Sequence, residues 1–140
     1  METVSDGGMV LGKAGLLLFT IGLLIGFALA KLRTPRLGLS AHLTAVQTGT
    51  TLIALALFWP YTGVPPSLEA VTIHAIVGSS YSLAGGILLS AVWGASDAQP
   101  IAGKGFSASK VRENIVTIII YLSASIMALA YLVVCWFALF

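Results

Sequence analysis

Charged side chains are scarce in this sequence of 140 residues, with 7 basic and 5 acidic residues that together make up 9% of it. Soluble domains carry about a quarter charged residues. A chain that is 58% hydrophobic, with a mean hydropathy of +1.01, cannot cover a water-facing surface, which excludes an ordinary soluble domain. A formal net charge of +2 also provides no basic groove for nucleic acid. We therefore expect most of the chain to lie in membrane lipid, and we expect no nucleic-acid partner.

Several chemical motifs are missing as well. Cys135 is the single cysteine, so an intrachain disulfide and a CxxC metal or redox site are excluded. The phosphate-binding P-loop and the patterns GxGxxG, HExxH and GxSxG do not occur. The interiors of the apolar runs contain no acidic side chain, which argues against a proton-coupled transporter or pump. These absences leave uncharged polar residues and histidines as the candidates for chemistry.

Four apolar runs are each long enough to cross a bilayer as a helix: 12–32, 39–59, 67–93 and 114–140. The second run stops at a cluster of proline and glycine residues between positions 60 and 66, which cannot continue a helix. The sequence therefore predicts an all-α polytopic membrane protein, in which residues 1–140 form a single bundle of four transmembrane helices.

The basic residues are unevenly distributed between the predicted loops. Six of the seven fall in the first and third loops: Lys31, Arg33, Arg36, Lys104, Lys110 and Arg112. These two loops lie on the same side of a four-helix membrane protein. The positive-inside rule places them in the cytoplasm and both termini outside. In a bacterial inner membrane, the simplest location, the termini would be periplasmic.

Small and polar residues recur at helical spacing inside the runs. Gly22, Gly26 and Ala30 share one face of the first run, which we expect to contact another helix. Polar stripes occur on the other three runs and suggest an internal polar pocket. Alternatively, the hydroxyls bond back to their own helix or join helices together. The stripes comprise Thr44, Gln47, Thr48, Thr50 and Thr51; Ser79, Ser80, Tyr81 and Ser82; and Asn114, Thr117, Tyr121 and Ser125.

Both histidines, His42 and His74, fall inside predicted spans, where an ionisable side chain indicates a functional site. Their predicted depths differ by about 10 to 15 Å, so they cannot easily share one metal within a subunit. A lone buried histidine can serve as the axial ligand of a haem, or it can simply pack. Of the two, His42 is the better candidate.

Two segments carry a resemblance to a known family. They are 36–43, with the sequence RLGLSAHL and a following Gly49, and 93–96 (WGAS) leading to 100–105 (PIAGKG). Both resemble the hydroxylaminobenzene mutases, small four-span membrane enzymes that turn aryl hydroxylamines into 2-aminophenols. This family is similar to styrene oxide isomerase, a trimeric enzyme in which a histidine at the start of the second span holds ferric haem b between subunits. Only His42 matches that set of functional residues.

Other positions depart from the isomerase pattern. Thr48 stands where the isomerase has Asn, and Ser79 and Ile87 stand where it has Asp and Tyr. The catalytic candidates implied for this chain are therefore Gln47, Thr48, Ser79 and Tyr81. Arg33, Arg36 and Lys104 are candidates for pairing with haem propionates, or they only determine orientation in the membrane.

The resemblance implies a membrane-bound mutase that moves a hydroxyl group within an aryl hydroxylamine, with ferric haem b on His42 as the Lewis acid. It also implies a small aromatic substrate and a homotrimer in membrane lipid. Two alternatives remain open: an epoxide isomerase acting on compounds like styrene oxide, and a non-enzymatic haem-binding or structural membrane protein.

Overall fold

A computed structural model describes residues 5–140 of the chain. Four helices fill most of this part, each long and apolar enough to cross a membrane: α1 (Asp6–Ala28), α2 (Pro35–Phe58), α3 (Pro66–Trp93) and α4 (Lys110–Leu139). Single 3₁₀ turns follow α1 and α2, and residues 5–140 contain no strand. The predicted all-α architecture with four membrane-spanning helices is thereby confirmed.

Three helices begin before the apolar runs that predicted them, because polar residues and local start signals can occupy the first turn of a helix. The side chain of Ser5 accepts a hydrogen bond from the Gly8 N–H at 3.1 Å, so α1 begins at Asp6. Pro35 opens α2 at the first helical position, where its missing N–H removes no helical hydrogen bond. The polar start of α4 at Lys110 likewise precedes its apolar part. The apolar runs therefore cover only part of the helices that they predicted.

The antiparallel helices α1 and α2 pack through glycine. A Cβ added at Gly15 would lie 2.7 Å from the Gly49 carbonyl oxygen, and one added at Gly22 would lie 2.8 Å from Val46 Cγ2. Such close backbone approach is how helices associate in lipid, where no hydrophobic force draws them together. The predicted contact face through Gly22 and Gly26 is confirmed, whereas Ala30 lies beyond the end of α1 and is exposed.

Helix α3 lies between α2 and α4, and α4 packs chiefly on α3. Gly86 of α3 faces α4, where an added Cβ would lie 2.7 Å from Ile119 Cγ2. Gly78 and Gly85 face open space instead, so only some of the glycines of α3 contact another helix of the chain. Because α4 packs chiefly on α3 alone, most of its surface is not covered by the rest of residues 5–140.

The two basic loops meet at one end of the bundle. The Arg33 guanidinium donates to the Trp93 carbonyl at 2.6 Å and to the Ser107 carbonyl at 3.4 Å. Trp93 ends α3, and Gly94 follows in the left-handed conformation at φ 71°, which glycine adopts without strain. Arg33 thus caps the carboxyl end of α3 and ties the first loop to the third.

A buried carboxylate organises the third loop, residues 94–109. Glu113, in the first turn of α4, is only 4% exposed. Its carboxylate accepts hydrogen bonds from the backbone N–H groups of Ser96 (3.2 Å), Asp97 (3.0 Å) and Ala108 (2.8 Å). Gly103 packs directly on Ser96, where no side chain would fit. The WGAS and PIAGKG segments therefore build a folded loop held on the start of α4.

Candidate functional site around His42

His42 lies in the second turn of α2 and is half-buried against α1. Its Nδ1 is 2.7 Å from the Gly22 carbonyl oxygen. A carbonyl oxygen carries no hydrogen, so the proton of this bond must be on Nδ1. In the neutral imidazole, Nε2 is then a bare nitrogen with a lone pair. Within residues 5–140, Nε2 has no hydrogen-bond partner.

The backbone of α1 also lies against the imidazole ring. A Cβ added at Gly26 would lie 3.0 Å from His42 Nδ1 and 3.1 Å from Cε1. Carbon contacts are optimal at about 3.5 to 4.0 Å. The ring therefore fits at this position because residue 26 has no side chain.

This arrangement fits the axial ligand of a haem. A metal-binding histidine commonly donates its other ring N–H to a carbonyl or carboxylate, which fixes the tautomer and raises the basicity of the ligand nitrogen. His42 has that arrangement. The described residues contain no group of three or more His, Cys, Asp or Glu side chains that could hold a metal ion. A single histidine suits a prosthetic group that brings its own equatorial ligands.

His74 lies toward the opposite end of the bundle. Its Nδ1 is 2.6 Å from the Ala70 carbonyl oxygen, one turn earlier in α3, and its side chain is exposed. It borders a surface pocket of about 290 Å³ between the starts of α1 and α3, together with Asp6 and Glu69. His74 contacts no neighbouring helix through this bond, and the two histidines do not form one site.

The basic candidates differ in their surroundings. Arg33 is occupied by the carbonyls of Trp93 and Ser107, which is a structural role. Arg36 and Lys104 are exposed at the same end of the bundle as His42. Of the three candidates, these two side chains are the ones available to an anionic group near that end.

The catalytic candidates do not gather around His42 within one chain. The Tyr81 hydroxyl donates to the Ala14 carbonyl at 2.8 Å, and Ala14 precedes Gly22 by about eight residues, or about 12 Å along α1. Ser79 is buried and donates to the Ile76 carbonyl, while Thr48 donates to the Thr44 carbonyl at 2.6 Å. These three hydroxyls therefore bond to helix carbonyls, as expected if the polar stripes serve to bond back to their own helix or to join helices together.

The prediction of an internal polar pocket is wrong for the single chain. Asn114, Tyr121 and Ser125 of the α4 stripe are exposed, with Tyr121 at 59%. The reason is that α4 packs on α3 through an apolar face that includes Val116 and Ile120, which turns the polar stripe outward. Gln47 is also on the outer surface, in the middle of α2.

The space between α1 and α3 is apolar. It forms a pocket of about 210 Å³, whose lining residues are Leu18, Ile21, Ile25, Tyr81, Ala84, Gly85 and Leu88. The hydroxyl of Tyr81 is the polar group of this lining, and it is already bonded to Ala14. A second apolar pocket of about 260 Å³ lies between α3 and α4. Both pockets can hold an apolar ring but offer little to orient a polar substituent.

Comparison with known proteins places the chain in a family. The sequence model described as styrene oxide isomerase matches residues 9–140. The chain belongs to the styrene oxide isomerase family. Among its relatives are two hydroxylaminobenzene mutases of Ectopseudomonas oleovorans. HabA is 31% identical over 109 residues, 77% of this chain and 81% of its own length. HabB is 34% identical over 128 residues, 91% of this chain and 76% of its own length.

Membership in the styrene oxide isomerase family confirms the resemblance drawn from the RLGLSAHL and PIAGKG segments and supports an isomerase or mutase activity. No solved structure matches the chain. The sequence did not predict that Gly22 and Gly26 contribute to the site of His42. Their four-residue spacing indicated only a packing face, and nothing in that spacing indicated that His42 fills the space they leave.

Proposed function

We propose that this chain is a membrane-bound mutase that converts aryl hydroxylamines, hydroxylaminobenzene among them, to 2-aminophenols by an intramolecular hydroxyl shift. The observation that carries the proposal is the imidazole of His42, whose proton is held on Nδ1 by Gly22 so that Nε2 is bare. The substrate class comes from the names of HabA and HabB, which are at 31% and 34% identity to this chain.

In this proposal His42 holds ferric haem b. Arg36 and Lys104, exposed at the same end of the bundle, would pair with the propionates. Arg33 is less suited, because its guanidinium already donates to two carbonyls. When bound, the haem iron supplies a Lewis acid for the hydroxylamine oxygen.

The reaction is an isomerisation and needs no external oxidant or reductant. The N–O bond breaks, a C–O bond forms at the ortho carbon, the ring loses its ortho hydrogen as a proton, and the nitrogen gains one. The chain contributes by excluding water, because its apolar helices keep bulk solvent from capturing the positively charged ring. The Nδ1–H bond to Gly22 keeps the His42 imidazole oriented throughout.

Self-association is the second part of the proposal, supported by Gln47. This residue lies near the midpoint of α2 (Pro35–Phe58) with its side chain exposed on the outer surface. A polar group without a hydrogen-bond partner costs several kcal/mol in hydrocarbon. Further copies of the chain would cover this face, as in the homotrimer that the family resemblance implies, and would enclose the half-exposed His42.

The self-association is tested by the variant Gln47→Leu, with Leu43→Ala on the same face as a control for lost packing. Native mass spectrometry of the protein in detergent should show a trimer for the native chain and a larger monomer fraction for Gln47→Leu. A monomeric native chain, or a trimer indifferent to Gln47→Leu, would contradict the role of Gln47.

The location in the membrane follows the charge distribution. We place the basic end, with Arg36 and Lys104, in the cytoplasm of a bacterium and both termini in the periplasm. Reporter fusions at the C-terminus test this orientation. Alkaline phosphatase fused there should be active, as expected in the periplasm, whereas fluorescence from a reporter that works only in the cytoplasm would contradict this orientation.

The activity is tested by incubating the purified protein with phenylhydroxylamine in water enriched in ¹⁸O. We expect 2-aminophenol without the heavy isotope, because the oxygen stays in the molecule. Product labelled from water would contradict the intramolecular shift. A second candidate, epoxide isomerisation, is favoured by the name of the family model. It predicts phenylacetaldehyde from styrene oxide in place of 2-aminophenol from phenylhydroxylamine.

A further inference from the structure

We propose that Gly22 and Gly26 of α1 are positioning residues for His42: Gly22 fixes the proton on Nδ1, and Gly26 provides the space in which the imidazole meets α1. The two glycines are one helical turn apart and therefore lie on the same face of α1. His42 approaches this face from α2. The effect of the two glycines on catalysis rests on the proposed role of His42, whereas their effect on the tautomer of His42 does not depend on that role.

The space at Gly26 is distinct from the spaces at the other glycines of α1. The three atoms nearest to a Cβ added at Gly26 all belong to the His42 ring. A Cβ added at Gly15 or Gly22 would instead meet backbone atoms of α2, at 2.7 Å and 2.9 Å for the nearest of them. Gly15 and Gly22 thus allow the helices to approach, and Gly26 accommodates one side chain.

The hydrogen bond at Gly22 depends on that accommodation. A methyl group at position 26 would lie 3.0 Å from Nδ1, the atom that donates to Gly22 over 2.7 Å. The ring must yield by a few tenths of an ångström to relieve this contact, and we expect this movement to lengthen and weaken the bond from Nδ1 to Gly22. With a weaker bond the proton is no longer fixed on Nδ1 and also occupies Nε2, and a protonated Nε2 has no lone pair for a metal.

The variant Gly26→Ala tests this arrangement, and Gly12→Ala is its matched control. Gly12 lies on the same helix, and its added Cβ would meet Ala56 Cβ at 3.5 Å, an ordinary contact. Both variants receive one methyl group and the same gain in helix propensity. Gly22→Ala is a poorer probe, since its clash with the Val46 backbone would disturb the packing of α1 on α2.

The decisive measurement is ¹⁵N NMR of the histidine-labelled full chain in detergent, before any haem is added. His42→Ala assigns the His42 signals, and His74 serves as an internal reference. We expect protonated Nδ1 and bare Nε2 at His42 in the native chain and in Gly12→Ala, and loss of this single tautomer in Gly26→Ala. A His42 tautomer that is unchanged in Gly26→Ala, or protonated on Nε2 in the native chain, would overturn the proposal.

Titration with hemin gives a second readout. We expect Gly26→Ala to bind hemin about 10- to 100-fold more weakly than Gly12→Ala, the usual effect of losing a group that orients a metal ligand. Equal affinities of the two variants would overturn the positioning role. A native chain that binds no hemin would refute the cofactor proposed above, and the tautomer comparison would still decide the role of the glycines.

Discussion

Replacing Glu113 should release the third loop from the bundle. In Glu113→Ala, the N–H groups of Ser96, Asp97 and Ala108 lose their acceptor. Hydrogen bonds to charged groups contribute about 1.5 to 3 kcal/mol each. Asp97 is exposed, so water can replace the acceptor that it loses. We therefore expect a net destabilisation of about 3 to 5 kcal/mol, which is less than the three hydrogen bonds would give together. Glu113→Gln keeps one acceptor oxygen and should lose about 1.5 to 3 kcal/mol.

The assay is cleavage of loop 94–109 by a protease added to the purified protein, together with the thermal unfolding midpoint. We expect cleavage to be fastest and the midpoint lowest in Glu113→Ala, with Glu113→Gln in between. Asp97→Asn is the matched control, because it removes one negative charge from the exposed surface of the same loop. If Glu113→Ala resisted protease as well as Asp97→Asn, the carboxylate would not hold the loop.

The remaining predictions concern packing and the position of the active site. Gly15→Ala should strongly lower the unfolding midpoint of the protein, because its Cβ would lie 2.7 Å from the Gly49 carbonyl oxygen. Gly85→Ala is the control: its Cβ would meet nothing within 4 Å, so the midpoint should stay unchanged or rise. Equal midpoints would show that α1 and α2 do not pack this closely. Tyr81→Phe should lose about 1 kcal/mol of stability with the Ala14 bond and should turn over substrate nearly as fast as the native chain, because its hydroxyl lies far from His42. A fall in the turnover rate by two orders of magnitude, measured by steady-state kinetics, would return Tyr81 to the active site.

Hydropathy and residue spacing predicted a large part of the fold. The four apolar runs predicted four helices, since length and hydropathy determine what crosses a bilayer. The Gly22 and Gly26 spacing predicted a contact face for α1. Helix starts were less predictable, because the Ser5 cap and Pro35 lie outside the apolar runs.

Which neighbour meets each face could not be deduced from periodicity. Spacing placed Asn114 and Tyr121 on one stripe, but it carried no information on whether that stripe would meet another helix. The same limit applied to Glu113, because two of its three hydrogen-bond donors lie at least 16 residues away in the sequence. For His42, the sequence predicted an isolated ionisable residue. Its tautomer follows only from the position of the Gly22 carbonyl oxygen, 2.7 Å from Nδ1.

The most direct test of the proposed function compares the native protein with His42→Ala and His74→Ala. Each is purified in detergent, its visible spectrum is recorded, and it is assayed for 2-aminophenol formation from phenylhydroxylamine. We predict a Soret band and activity in the native protein and in His74→Ala, and neither in His42→Ala. A His42→Ala variant that keeps the activity, or an active native protein without a Soret band, would contradict a haem-bearing mutase centred on His42.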